Sequence, residues 1–338
     1  MLLTIAIPTY DRNSRLEENL QNLLPQLTED CELLVIDNSS PTPVADTLAR
    51  TLSMWSGFAC RVIRNRVNIG GAANIMRCFE LCAGEWLWCL GDDDTIAKDA
   101  IKNIIADIRR LPDATLLHYS TSVDQHLENI TIRGTDDFIK GPISFNGMMF
   151  TPACIYNIER TISSLRFGYL YAYSWGPHLA VAISSLANYG ICEIRSYRLI
   201  VSNIGVGKEN MWAPIGYLAG RQALLELSMS DAARTALARK MDHCPSIEYI
   251  ACEMIIRASG QKDSLEALFL YDQIAARNRP FRKSIVSGLK WRAYHYLVKW
   301  PCLGLRLIRL IYRIFSKVSY FQRNQLEKFG TRDRFYRA

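Results

Sequence analysis

From Trp86 to Leu90 the chain is an unbroken apolar run, and two residues later it reads Asp92-Asp93-Asp94. Carboxylates at that density are too costly to bury without counter-charge, so the run is predicted to be a core strand whose far end is exposed. Three carboxylates at one strand tip repel each other and raise each other's pKa unless a cation lies among them. A hard divalent ion with oxygen ligands, Mg2+ or Mn2+, is the natural partner. A solvated Asp-rich turn capping a helix that starts near Ile96 accounts for the same letters.

What precedes this run repeats its logic. Leu2 to Tyr10 reads as a buried strand broken by Pro8, and Leu16, Leu20, Leu23, Leu24 and Leu27 form a helical stripe after it. A second strand, Cys31 to Ile36, ends in Asp37-Asn38-Ser39, and a helix spans about Val44 to Met54. A third strand near Ala59–Ile63 leads into Asn65–Gly71, and a helix runs from about Ala72 to Cys82. This alternation predicts a parallel sheet with right-handed crossovers and helices on its faces. Ligands of such sheets gather at the carboxyl ends of the strands. Four polar clusters follow strands here: Thr9-Tyr10-Asp11, Asp37-Asn38-Ser39, Asn68-Gly70-Gly71 and Asp92-Asp93-Asp94. Together they predict one site on one rim.

The same motifs, Ile7-Pro8-Thr9-Tyr10-Asp11-Arg12, Val35-Ile36-Asp37-Asn38-Ser39, Asn68-Ile69-Gly70, Ala83-Gly84-Glu85 and Leu90 to Asp94, come in an order and spacing that resemble the family 2 glycosyltransferases. The resemblance covers roughly residues 1–100. It implies the GT-A fold, a Rossmann-like nucleotide-binding α/β domain with a mostly parallel central sheet flanked by helices. It also implies a nucleotide-sugar donor and inversion at the anomeric carbon. Carried over residue by residue, it places Pro8, Tyr10, Asp37, Asn68 and Asp92 on the nucleotide sugar, and Asp93 and Asp94 on a Mn2+ or Mg2+ ion. Two positions depart from the pattern. Gly91 stands where relatives often have the first Asp, which leaves open which two of Asp92, Asp93 and Asp94 face the metal. Ile75-Met76 stands where many relatives have Arg-Asn, with Asn74 or Arg77 as substitutes.

Farther on, Ala114–Thr121 and Gly147–Tyr156 are predicted strands, with a polar, irregular stretch between Asp124 and Gly141. Tyr169 to Trp175 holds four aromatic residues that suit either sugar stacking or a core. A helix follows Gly176-Pro177-His178. In the relatives this helix begins with an acidic pair whose Asp is the general base, which makes His178 the candidate base here; imidazole near its ordinary pKa is competent at neutral pH. Ser202 to Lys208 reads as a flexible loop, with Asn203 near the metal and Lys208 near the diphosphate or on a plain surface linker.

Residues 280–338 carry fourteen Lys or Arg against two acids, Glu327 and Asp333, a net of +12, within a chain of net charge +7. Aromatic and aliphatic residues interleave with those cations, and Arg306, Arg309, Arg313 and Lys317 form one helical stripe. Charge interrupts every apolar run, so the segment predicts a helix lying on an anionic membrane surface rather than a span. The domains expected are 1–205 for the GT-A domain, 206–279 for a helical extension and 280–338 for the basic tail. The ten cysteines include no C-x-x-C pair, and the N-terminus starts on a strand without a basic, apolar leader. A reducing cytosol, with the protein peripheral on the inner face of the membrane, fits both. The expected acceptor is a lipid-linked saccharide of bacterial surface polysaccharide (O-antigen or capsule). A nucleotidyltransferase lacks its usual Gly-rich basic loop after the first strand. A nucleic-acid-binding protein lacks a positive body, since the rest of the chain is net acidic.

Overall fold

A computed structural model describes residues 1–55, 57–121, 124–203, 221–241, 251, 254–255, 268, 271–272, 285–304 and 306–307. The chain divides into two compact units, Met1–His243 and Cys244–Ala338.

In the first unit, β1 (Leu3–Thr9), α1 (Asn13–Leu23), β2 (Cys31–Asp37), α2 (Val44–Ser53), β3 (Ala59–Arg64), α3 (Gly71–Leu81) and β4 (Trp86–Cys89) follow the predicted alternation. Next come β5 (Asp94–Ile96), α4 (Ala100–Arg110), β6 (Leu116–Ser120), β7 (Ile130–Arg133), β8 (Cys154–Asn157), β9 (Ile191–Arg198) and β10 (Ile200–Asn203). Among the described residues one eight-stranded sheet has the order β3-β2-β1-β4-β8-β6-β9-β7, and β5 and β10 form a separate pair. The β3-β2-β1-β4 half is parallel throughout, with Thr9 opposite Asp37 and Asp37 opposite Arg64. Strand β8 runs antiparallel to both β4 and β6.

Side chains alternate across the sheet as a period of two requires. Leu33, Val35, Trp86 and Trp88 pack on one face with Leu16, Leu20, Leu48, Ile101 and Ile104 of α1, α2 and α4. Leu34, Ile36, Leu87 and Cys89 pack on the other with Met76 and Phe79 of α3 and Leu179–Ile183. Both faces are therefore covered, which is why these strands read as continuous apolar runs. Truncating the fully buried Trp88 to Ala would cost about 3–5 kcal/mol.

Two stretches differ from expectation. Gly147–Tyr156 is not one strand: the helix Phe145–Met149, capped by the Ser144 side chain, leads through the 3-10 turn Thr151–Ala153 into β8. The polar stretch before it contains β7 and the helix Gly134–Lys140. The Gln222–Glu226 turn and the helix Asp231–Lys240 lie in the first unit, and Leu224, Ala233 and Leu237 are buried in the same core as α3.

In the second unit the helix Ile285–Lys299 buries Val298, and its His295 contacts Asp272 at 2.8 Å. The opposite side holds exposed Leu289, Tyr296, Trp300, Leu303 and Leu307 with Arg292, Lys299 and Arg306 between them. No helix among the described residues is long and apolar enough to cross a membrane. The Arg309, Arg313 and Lys317 positions of the basic stripe lie outside the described residues, as do residues 204–208 of the expected loop.

Candidate active site

Parallel strands that share a direction deliver their carboxyl ends to one rim. There a cleft of about 600 Å³ is lined by Pro8, Thr9, Tyr10 and Arg12 after β1, by Asn38 after β2, by Asn68 after β3, and by Gly91 to Asp94 after β4. The start of α3 and the segment Met149–Pro152 close its sides, with Trp175. All four polar clusters anticipated from sequence reach this one place. Among the described residues, three of the four non-glycine residues with positive φ, Asp11, Ser39 and Trp175, lie in the loops that build it. Such strain persists only where the surroundings fix it, and it gathers at functional rims.

The aspartates are not alone. The Arg12 guanidinium donates to Asp92 Oδ1 at 2.8 Å and approaches Asp93 Oδ2 at 3.3 Å. Thr9 Oγ1 donates to Asp92 Oδ2 at 2.7 Å. Burial pushes the Asp92 carboxyl above its ordinary value, and Arg12 and Thr9 act the other way. Burial works against the charge of Arg12 too, yet Asp92 and Asp93 hold its pKa above the ordinary value. A cation does sit among the carboxylates, as their repulsion demanded, and the chain supplies it. Asp94 is 3% exposed and accepts from the Gly91 amide at 3.1 Å. A Cβ on residue 91 would stand 2.4 Å from Asp94 Oδ2, so a side chain there would displace that carboxylate from its present place. The backbone of Asp94 pairs in register with Asn203 of β10.

Among the described residues no group of three or more His, Cys, Asp or Glu surrounds a single point. Mg2+ and Mn2+ seldom need such a cage, since Mg2+ is commonly bound by one or two carboxylates together with substrate phosphates. Asp93, the most exposed of the three side chains at 21%, and Asp94 both line the cleft and offer hard oxygen donors. The donor set fits an ion shared with a diphosphate.

Of the residues that the resemblance assigns to the nucleotide sugar, Pro8, Tyr10, Asn68 and Asp92 line the cleft and Asp37 does not. The Asp37 carboxylate is buried and engaged by the amides of Ser40 (2.7 Å) and Val44 (3.3 Å) and by Arg64 (2.5 Å). Burial acts to raise its pKa, but these bonds outweigh it and hold it below the usual carboxylate value. Asp37 shapes the turn that presents Asn38. The Asn38 amide donates to Asn68 Oδ1 at 2.8 Å, and Asn38 Oδ1 accepts from Asn65 at 3.0 Å. Asn65 in turn donates to Asn74 Oδ1, and Asn74 to the Ile36 carbonyl. This four-asparagine network joins β2, β3 and α3, and three of its members line the cleft. Sequence reasoning placed Asn38 in a rim cluster and Arg12 in a motif but gave neither of them, nor Asn65, a role of its own, although each lies within five residues of a predicted strand end. Arg77, the other possible substitute, pairs with Glu80 on α3 and does not line the cleft.

His178 is 1% exposed and stands behind Thr151, whose hydroxyl is 3.3 Å from Nδ1. Thr151 lines the cleft and His178 does not. Burial pushes the His178 pKa down to about 4, against backbone hydrogen bonds with Met148 and Met149. A general base must reach the proton it takes. The role expected of His178 therefore does not fit its place, because the helix begins with its first turn already inside the core.

Residues 4–155 match the profile described as Glycosyl transferase family 2. Over 106 residues the chain is 33% identical to the abequosyltransferase RfbV of Salmonella typhimurium, covering 30% of this chain and 31% of that protein. Over 130 residues it is 24% identical to an uncharacterized glycosyltransferase of Haemophilus influenzae, covering 38% of this chain and 42% of the other. The chain thus spans well under half the length of these curated relatives. Staphylococcus aureus TarS residues 1–349, solved with UDP-GlcNAc, superposes with a TM-score of 0.55 at 13% identity, over 89% of this chain and 92% of that one. The mannosyltransferase PcManGT of Pyrobaculum calidifontis, solved with GDP-Man and Mn2+, gives 0.51 at 14% identity, over 88% and 87%. At such identities the superpositions speak for the fold alone, which is GT-A.

Proposed function

We propose, from the match of residues 4–155 to the profile described as Glycosyl transferase family 2, that this chain transfers a sugar from a nucleotide-sugar donor to an acceptor hydroxyl. The observation that carries the reading is the strand-end cleft in which Arg12 pairs with Asp92 and Asp93, next to Asp94 and a wall of asparagine amides. Amides suit a base and ribose, which need both donors and acceptors. The amino end of α3, which has no acidic residue in its first turn, borders the same cleft and favours an anionic group. Asp93 and Asp94 would hold Mn2+ or Mg2+ together with phosphate oxygens, and the bound ion would supply charge stabilisation for the departing diphosphate. The acceptor oxygen forms the new bond to the anomeric carbon, the bond from that carbon to the diphosphate breaks, and the acceptor gives up its proton. Arg12 and Arg15 add positive charge on the β1 side of the leaving group.

The acceptor in this reading is a lipid-linked saccharide of bacterial surface polysaccharide, met at the inner face of the membrane. Similarity to an abequosyltransferase and the exposed Trp300, Tyr296 and leucine side chains between cations on the helix Ile285–Lys299 and just beyond it support that setting.

The test is thermal stabilisation by UDP, GDP, dTDP and CDP and their sugars, with and without Mn2+. One nucleotide should raise the melting temperature, more so with the ion. Indifference to all four nucleotides removes the donor reading, and stabilisation that ignores Mn2+ removes the metal from it.

A further inference from the structure

We propose that His118 and His126 bind a zinc ion, or a like divalent transition metal, at a site of their own outside the strand-end cleft. Strand β8 runs against both β4 and β6, so β6 shares the direction of β4 and ends on the same rim. His118 lies on β6 opposite Cys154, and its side chain is wholly buried. Its Nε2 is 3.3 Å from the Gly147 carbonyl. A carbonyl can only accept, so Nε2 carries the ring proton and Nδ1 keeps a lone pair. That Nδ1 is enclosed without a hydrogen-bond partner among the described residues. His126 follows on the segment after β6, and its Nε2 is enclosed and unpartnered in the same way. Two orphaned imidazole nitrogens in one interior are uncommon in folded proteins and call for an occupant. The bond to Gly147 is also the support that metal-binding histidines use: a backbone carbonyl on the far nitrogen fixes the tautomer and aims the near one.

The spacing suits one shared ion. Zinc–nitrogen bonds of about 2.0–2.1 Å put the centre of a ligating imidazole about 3.2 Å from the metal, and two rings at a tetrahedral angle about 5.2 Å apart. The ring centres of His118 and His126 are 5.8 Å apart, with planes inclined at 66°. His126 stands on an irregular segment, where a small rotation closes the difference, and its amide donates to Ser120 Oγ at 2.9 Å, which anchors that segment to β6. Asp124 supplies counter-charge. Its carboxylate acts on both rings, and Oδ2 accepts from the Ser144 amide at 2.7 Å. Gly147 makes the room for it, since a Cβ there would overlap that oxygen. Lys240 also faces Asp124, with its ammonium engaged by the carbonyls of Gly141 and Ile143. Among the described residues no three His, Cys, Asp or Glu side chains converge on one point, so the ion takes two imidazoles directly and water in its other positions. Imidazole nitrogen favours zinc, nickel or copper, whereas Mg2+ and Mn2+ prefer oxygen. Through His118 and Gly147 the ion would brace β6 against the helix Phe145–Met149, whose last residue lines the cleft.

The experiment is calorimetric titration of the intact, chelator-treated chain with Zn2+ in the presence of excess Mg2+, with metal analysis after gel filtration. One equivalent should bind, and the melting temperature should climb with free zinc. His126→Ala, at the half-buried member of the pair, should weaken zinc binding at least about 10-fold. His118→Gln should do the same, and the first variant decides the matter if the second fails to fold. Asp93→Asn should bind zinc as the wild type does. Equal uptake by His126→Ala and the wild type overturns the proposal and places the ion elsewhere, with exposed Cys60 and Cys302 the next candidates. Uptake lost in Asp93→Asn overturns it too, by assigning the ion to the strand-end cleft. A wild-type chain that binds no zinc does so as well, and leaves a buried water donating to both nitrogens as the occupant. None of these outcomes touches the donor reading, which stands or falls on nucleotide binding.

Discussion

Buried histidines set how this domain responds to acid. His118 and His178 are both enclosed, and burial holds each pKa near 4, at about 4 in both cases, below an ordinary 6.5. In the unfolded chain each protonates near 6.5, so between that pH and about 4 the unfolded state binds more protons. Stability is then fully present above pH 6.5 and declines as pH falls through that window, by up to about 3 kcal/mol per histidine. Denaturant titrations of the wild type and of His178→Gln, from pH 7 to pH 4.5, measure it. The variant should show the shallower decline, and equal slopes would mean that His178 is not held neutral. At this scale the sequence was legible where chemistry is local and silent where it depends on packing. Asp92 to Asp94, Tyr10 and Asn68 announce themselves by following strands. Nothing local says that His178 turns inward behind Thr151, or that the carboxylate of Asp37 spends its acceptor capacity on its own turn and Arg64.

At the scale of elements, the cleft depends on loops tied to one another rather than on any single strand. The Asn38–Asn65–Asn74 chain links the ends of β2 and β3 to α3 through buried amides. Asn74→Leu leaves the Ile36 carbonyl and the Asn65 amide without their partners, at a cost of about 1–3 kcal/mol. It should also weaken nucleotide affinity while the far-ultraviolet circular dichroism stays unchanged; unaltered affinity would show that the network carries only stability. Strands β1, β2 and β4 were readable because both of their faces are covered and the helices around them have clear stripes. Gly147 to Tyr156 was misread as one strand because a short apolar run suits a strand and a buried helix equally. What decides is Ser144, which caps the helix at the Gly147 amide, a bond that a reading of hydrophobic pattern passes over.

For the whole molecule, the chain divides into two compact units of different surface character. The first carries the cleft; the second carries the helix whose outward side chains mix Leu289, Tyr296, Trp300 and Leu303 with Arg292 and Lys299. Aromatic rings and leucines between cations match the apolar depth and negative charge of an anionic leaflet. The intact chain should sediment with vesicles containing phosphatidylglycerol and far less with phosphatidylcholine alone, and Trp300→Ser with Leu303→Ser should weaken this about 10-fold or more. Equal sedimentation of the double variant would remove this face from the membrane reading.

The guanidinium of Arg12 supplies part of the counter-charge that the carboxylates of this cleft call for, and it spends that charge on Asp92 and Asp93. Under the proposed function, loading would be an exchange of partners, with the arginine loosening its hold on those two acids as phosphate oxygens arrive.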